Sequence, residues 1–287
     1  MHVDVNGTRL WFDVDGAALV PDRSKMRQRP TVVLVHGGPG VYDHSYFKPD
    51  FAPLAEHAQV VFLDLRGHGR SAWGQAAQWS LEACADDVRA FCDTVGIDRP
   101  VVFGHSMGGP IVLLYGARHA GHASGLIVQS GFARWDPLRL VEGFRRVAGD
   151  DVAEIARRSY AGEDVPDSEW DRVFAAFGKR VPDQEREAGT PQNLQLNLHG
   201  MELIRQVDIV DQLGRIESPT LVCVAELDPV TPVSAAEEIA RSLPESLAQL
   251  EVIAEAGHFT WLDAPDLFWP VIVEFVHSVM GPERVRT

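Results

Sequence analysis

Gly104-His105-Ser106-Met107-Gly108 satisfies G-x-S-x-G, with an apolar run (Val101–Phe103) leading into it and a helical segment opening at Pro110. On a tight strand-to-helix turn the serine is aimed out of the sheet with a helix N-terminus beneath it, and side chains at the flanking glycines would collide with their neighbours. A serine hydroxyl is nearly inert at neutral pH. A nucleophilic Ser106 therefore requires a base and an acid to orient that base, here expected later in the chain in the order Ser, Asp or Glu, His.

Both are present. Ala256-Gly257-His258-Phe259 follows the apolar run Leu250–Ile253, and Glu226-Leu227-Asp228-Pro229 follows Thr220–Ala225. His258 takes the base role among the 11 histidines because it lies on a loop after the last strand-like run. His36 and His105 sit inside glycine motifs and are read as loop-holding, while His119 and His122 fall at a helix end and are read as caps. Asp228 is the expected acid. Glu226, which would still belong to the strand, and Asp211, near the exit of an insertion, are its rivals.

Acyl transfer also needs donors for a developing oxyanion. The amide after the nucleophile, Met107, and that of Gly38 in His36-Gly37-Gly38-Pro39-Gly40 fill this role in the expected arrangement. Neither G-x-G-x-x-G nor G-K-[ST] occurs, so the glycine-rich loop does not read as a nucleotide cradle, and no cofactor or metal is implied. The charges of Asp64-Leu65-Arg66-Gly67-His68-Gly69-Arg70-Ser71 are read as holding a turn beside the site.

These groups meet only if strand ends gather at one edge of a sheet. Apolar residues alternate about Asn6-Gly7, which predicts a hairpin with a type I′ turn. Short, mostly β-branched runs at Thr31–Val35, Gln59–Leu65, Val101–Phe103, Leu126–Val128, Thr220–Ala225 and Leu250–Ile253 read as buried parallel strands. Leu81, Cys84, Val88, Phe91 and Val95 predict a helix over 81–95, with Ser80 as N-cap and Gly96 as stop. A second helix starts after Ser106 and ends near Gly121. The expected fold is α/β, a mostly parallel, doubly wound sheet opened by an antiparallel hairpin, with ligands at the carboxyl ends of the strands.

The alternation fails between Phe132 and Asp211. Residues 1–131 and 212–287 read as the core domain, and 132–211 as an inserted, mostly helical cap with pieces at Leu138–Val147, Val152–Tyr160 and Glu169–Phe177. Phe132, Trp135, Phe144, Tyr160, Trp170, Phe174 and Phe177, with Trp261 beside the base, are candidates for an apolar pocket wall, although packing within the cap accounts for any one of them.

Composition narrows the partners. The 287 residues are 45% hydrophobic and 23% charged with a net charge of −15, which repels nucleic acid and anionic membranes and leaves a small-molecule substrate. The longest apolar runs are far shorter than the roughly 20 residues that span a bilayer. The N-terminus carries no secretory pattern, so a cytoplasmic location is expected. Cys84, Cys92 and Cys223 have neither disulfide nor zinc spacing and read as buried thiols. The basic cluster Arg23, Lys25, Arg27 and Arg29 reads as a solvated loop.

Taken together, His36–Gly40, Asp64–Ser71, Gly104–Gly109, Asp228 and Gly257-His258 resemble the α/β-hydrolase fold superfamily over nearly the whole chain outside the cap. The resemblance implies the same triad, Ser106, Asp228 and His258, and the same oxyanion hole, Gly38 and Met107. The His-Gly-Gly-Pro-Gly loop resembles the proline iminopeptidase group, which implies release of N-terminal residues from small peptides, with cap acids binding the free amine. Glu142, Glu154, Glu163, Glu169 and Glu202 are available for that task. The chain departs from that group at Met107, where Trp is usual, and at Leu65, where Gln is usual. Gly-His-Ser-Met-Gly-Gly is shared with esterases, lactonases and meta-cleavage-product carbon–carbon hydrolases, and a serine at this position excludes the aspartate-nucleophile chemistry of epoxide hydrolases and haloalkane dehalogenases. The expectation is a cofactor-independent serine hydrolase of a small, largely apolar ester, lactone or amide. An aminopeptidase or a carbon–carbon hydrolase is the alternative, and a non-catalytic small-molecule binding protein on the same scaffold is the reading from another class.

Overall fold

A computed structural model describes residues 1–48, 50–182 and 192–280. Strands β1 (His2–Val5) and β2 (Thr8–Asp15) form the opening hairpin, and Asn6 and Gly7 take the positive φ angles of 44° and 71° that their turn requires. The basic segment is not a loop. Its ends pair as a small hairpin, β3 (Leu19–Asp22) and β4 (Lys25–Gln28), because Arg23 turns the chain at φ 55°. Arg23, Lys25 and Arg27 are solvated as expected, while Arg29 is half-buried and donates to Ala55 O.

The main sheet continues with β5 (Thr31–Val35), β6 (Gln59–Asp64), β7 (Val101–His105), β8 (Gly125–Gln129), β9 (Thr220–Ala225) and β10 (Ala248–Ile253). Its order is β1-β2-β6-β5-β7-β8-β9-β10, antiparallel up to β6 and parallel beyond. The chain winds one way from β5 to β6 and the other way from β7 onward. The crevice outside the carboxyl ends of β5 and β7 is therefore the switch point where such sheets bind ligands.

Alternation along each strand divides the core in two. Val33, Val35, Val102 and Val128 face Phe91, Ile111 and Leu114 of the helices Leu81–Val95 and Gly108–Arg118. Val32, Leu34, Phe103 and Ile127 face Phe268 and Ile272 of the helix Pro265–Ser278. A sheet covered on both faces needs strands apolar on both faces, and that is why these runs are unbroken in sequence. The helix over 81–95 has the expected bounds: the Ser80 side chain accepts from the Ala83 amide, a cap worth about 1 kcal/mol, and Gly96 closes it at φ 76°.

Between β8 and β9 lie the helices Pro137–Ala148, Asp150–Tyr160, Asp167–Ala175 and Leu194–Arg205. Sequence periodicity marks the first three and misses the fourth. The two ends of this segment are clasped together: the Trp135 amide donates to Val207 O at 2.8 Å and the Ile209 amide to Ala133 O at 2.9 Å.

Candidate active site

Ser106 sits at φ 55°, a conformation costly for a residue with a Cβ. The flanking glycines make the turn possible. A Cβ at Gly104 would lie 2.2 Å from Gly108 O, and one at Gly108 would lie 2.3 Å from Val35 O at the end of β5. The Ser106 amide is held by Gln129 O (3.1 Å), and Ser106 is partly exposed while its neighbours on both sides are buried. Its hydroxyl makes no hydrogen bond among the described residues.

On the neighbouring loops His258 Nδ1–H donates to Asp228 Oδ2 at 2.8 Å, and both side chains are buried. Asp228 also receives the Val230 and Thr231 amides on Oδ1 (2.8 and 3.0 Å) and the Thr231 hydroxyl on Oδ2 (2.7 Å). Burial, the largest influence on this carboxyl, acts to raise its pKa. The facing His258 and the Thr231 donors outweigh it, so the group lies below the ordinary 3.8. Because Nδ1 is committed to Asp228, the other ring nitrogen is left as an acceptor. The rivals are elsewhere: Glu226 lies one residue beyond β9, exposed, and accepts from the Glu255 amide, and Asp211 is exposed.

His105 ties the serine turn to the base loop. Its Nε2–H donates to His258 O at 3.1 Å, and the two rings lie 4.7 Å apart. Tyr46, unmarked in the sequence reading, completes the link: its hydroxyl accepts from the Gly37 amide (2.8 Å) and donates to His105 Nδ1 (2.8 Å). A Cβ on Gly37 would lie 3.1 Å from Ser106 Cβ, and one on Gly38 would lie 3.2 Å from Met107 Cε. The glycine loop, the serine turn and the base loop thus occupy one neighbourhood.

Three more interactions shape the glycine loop. His36 Nδ1–H donates to Gly37 O (2.6 Å) while its Nε2 accepts from the Leu65 amide (3.1 Å), and His68 Nε2 accepts from the Gly40 amide (2.9 Å). Burial pushes all of these imidazoles below 6.5, His68 to about 3, so they work as neutral rings in fixed tautomers. With Gly37 and Gly40 already satisfied, the Gly38 amide, like that of Met107, meets no acceptor among the described residues. His119 is the C-cap of the helix Gly108–Arg118, its amide donating to Tyr115 O at 2.9 Å, while its ring bonds Asp86; His122 follows the cap and its ring bonds the Tyr115 hydroxyl.

The charged turn after β6 is structural. Asp64 accepts the His44 amide and ring on Oδ1 (2.9 and 2.6 Å) and the Arg70 amide on Oδ2 (2.9 Å), and Arg66 pairs with buried Asp87 at 2.6 Å. Asp43, His44 and Asp64 bring their ligand atoms within 4.8 Å of one another, but protein N–H groups already occupy both carboxylates, Asp43 through the Ser45 amide. The three cysteines are free and buried, and burial pushes their thiols up to about 12.

The inserted segment touches both the His258 loop and the glycine loop. Phe177 O accepts the His258 amide at 2.5 Å, and the Phe177 ring lies 5.5 Å from the His258 ring. Asn197 Nδ2 donates to Pro39 O (2.9 Å), and the Asn193 amide donates to Gly40 O (2.9 Å).

Comparison with known proteins identifies the family. The profile of the alpha/beta hydrolase fold family matches residues 30–265. The chain belongs to that family. It is 28% identical over 300 residues to a proline iminopeptidase of Thermoplasma volcanium, with 96% of each chain covered. It is 29% identical to a pimeloyl-[acyl-carrier protein] methyl ester esterase of Neisseria meningitidis, covering 89% of this chain and 80% of that one. Proline iminopeptidase of Mycobacterium smegmatis has the same fold, with a TM-score of 0.79 at 20% identity over 97% of this chain and 98% of that one. Like the named hydrolases it matches, this member of the family is a hydrolase. No helix among the described residues is long and apolar enough to cross a membrane.

Proposed function

We propose that the chain is a cofactor-independent serine hydrolase that cleaves a small, neutral, largely apolar ester, lactone or amide. The observation that carries this reading is the buried Asp228–His258 pair beside a strained, partly exposed Ser106. Asp228 holds the His258 ring with its proton on Nδ1. His258 Nε2 takes the proton of Ser106 as Oγ attacks the carbonyl, and the Gly38 and Met107 amides receive the developing oxyanion. The imidazolium returns the proton to the leaving group, and water cleaves the acyl-enzyme by the same steps. The hydroxyl–imidazole contact forms as substrate binds, since such contacts are often long without substrate.

Residues 132–211 act as a cap in this reading, as the contacts of Phe177 and Asn197 with the two loops suggest. The cap acids favour a neutral substrate. Glu142, Glu154, Glu163 and Glu169 pair with Arg145, Arg157, Arg157 and Arg158 at 2.6, 2.9, 3.3 and 2.9 Å, and Glu202 stands 3.9 Å from His199. Four of the five are thus engaged by arginines, and Glu202, exposed beside His199, stands outside any arginine pair. The glycine loop and the relative from Thermoplasma support the iminopeptidase reading, which requires faster turnover of proline naphthylamide than of short-chain esters. Buried free thiols suit a reducing, cytoplasmic setting.

A fluorophosphonate probe tests the assignment. Stoichiometric labelling of the native chain is expected, with none in Ser106→Ala and a matching loss of p-nitrophenyl ester turnover. A folded native chain that resists the probe would overturn it and favour a non-catalytic binding protein.

A further inference from the structure

Tyr160 ends the helix Asp150–Tyr160 within a ring of aromatic side chains: Trp135 at 5.9 Å, Trp170 at 6.1 Å and Phe144 at 6.3 Å between centroids. This wall runs to the base, through Trp170–Phe177 (6.5 Å) and Phe177–His258 (5.5 Å). The backbone of Tyr160 is fixed by Arg205 Nε, which donates to its carbonyl at 2.8 Å. Its hydroxyl is different. It has no hydrogen-bond partner among the described residues, yet the only side-chain polar atoms there that are both sealed from water and unpartnered are Gln129 Oε1 and Trp261 Nε1. The phenol oxygen therefore borders space that a water-sized group can enter.

Burial first, then the proximity of Tyr42 and Asp228, raises the pKa of the phenol above its ordinary 10, so it remains a protonated donor throughout the neutral range. The wall carries this hydroxyl beside the indole N–H groups of Trp135 and Trp170, and a hydroxyl donor there costs little when it meets an acceptor and penalises a ligand that leaves it dry and unpaired. We propose that Tyr160 is a specificity-determining residue whose hydroxyl donates to a neutral acceptor oxygen on the substrate, away from the scissile carbonyl. The preferred substrate is thus an apolar acyl compound bearing a keto, ether or ring oxygen as well as the bond that is cut. This inference rests on the proposed function for the location of the substrate site.

The test is made on binding, so that it does not depend on turnover. In the Ser106→Ala chain, affinities are measured by calorimetry for two matched pairs, methyl levulinate against methyl pentanoate and a methoxyalkyl against an alkyl pentanoate. At least one oxygen-bearing member is expected to bind roughly three- to tenfold more tightly than its partner, the size of one neutral hydrogen bond, and that ratio is expected to collapse toward one in Tyr160→Phe. Tyr160→Met supplies a second variant lacking the donor. No preference in either pair, or a preference that survives in a folded Tyr160 variant, would overturn the proposal. Failure of the serine assignment shows separately, as a native chain that the fluorophosphonate does not label.

Discussion

The Tyr46 hydroxyl and the His105 ring are joined at 2.8 Å, and through them the Gly37 amide on one loop is linked to the His258 carbonyl on another. Each donor in this chain has one acceptor, which fixes the neutral His105 tautomer with its proton on Nε2. Tyr46→Phe keeps the ring but leaves the buried Gly37 N–H and His105 Nδ1 without this partner, at a cost of about 1–3 kcal/mol for each group. A loss of melting temperature is expected. Because Gly37 adjoins the Gly38 amide, kcat for an ester should fall more than KM rises; equal losses of both would show that the link serves stability alone.

The turn at Ser106 is set by two backbone approaches. Gly104→Ala and Gly108→Ala each drive a Cβ to within 2.3 Å of a carbonyl oxygen, at Gly108 O and Val35 O respectively. No side chain can swing away to relieve either clash, so both variants are expected to lose cooperative folding or to melt far below the native chain. A native-like melting curve for either would mean that the serine turn is more plastic than its geometry indicates.

Much of this was legible in the sequence, and the reason is local. Glycines at 104 and 108 are demanded by backbone contact, and the bounds of the helix over 81–95 follow from Ser80 and Gly96, which act on their own immediate amides and carbonyls. The strands were visible because burial on both faces leaves an unbroken apolar run. Tyr46 and Asn197 were not visible. Their partners are 59 and 158 residues away, at His105 and Pro39, and nothing near either residue in the chain encodes that pairing. The Leu194–Arg205 helix escaped for a related reason: Leu194 and Leu198 are exposed, which blurs the apolar stripe that periodicity reads.

Acid should destabilise the fold in two stages. His36, His68 and His105 titrate near 6.5 when unfolded and are pushed lower when folded, so below pH 6.5 the unfolded chain binds more protons and stability falls as pH falls. Each contributes at most about 1.4 kcal/mol per pH unit over its window, which for His68 extends down to about 3. Asp64 and Asp228, whose folded pKa values lie below 3.8, add a loss in the same direction once the pH drops through that range. Denaturant midpoints measured from pH 7.5 to 4 should decline steadily below 6.5, and the slope should be shallower in His68→Gln. A flat profile down to pH 4 would contradict the neutral, buried state of these rings.

The inserted segment grips the glycine loop at close quarters. A Cβ on Gly200 would lie 2.4 Å from Pro39 Cβ, and Asn197 Nδ2 donates to Pro39 O, the carbonyl next to Gly38. Gly200→Ala must push the helix or the loop, whereas Asn197→Ala only removes a hydrogen bond, worth about 0.5–1.5 kcal/mol. If the helix merely covers the site, both variants should change KM and leave the phosphonate labelling rate of Ser106 as it was. If the helix also holds the Gly38 amide in place, labelling should slow in both, more in Gly200→Ala, because the probe's phosphoryl oxygen requires the same donors as a tetrahedral intermediate. The second outcome is expected, since Asn193, Asn197 and Gly200 all meet the loop between Pro39 and Gly40 and leave it little room to shift independently.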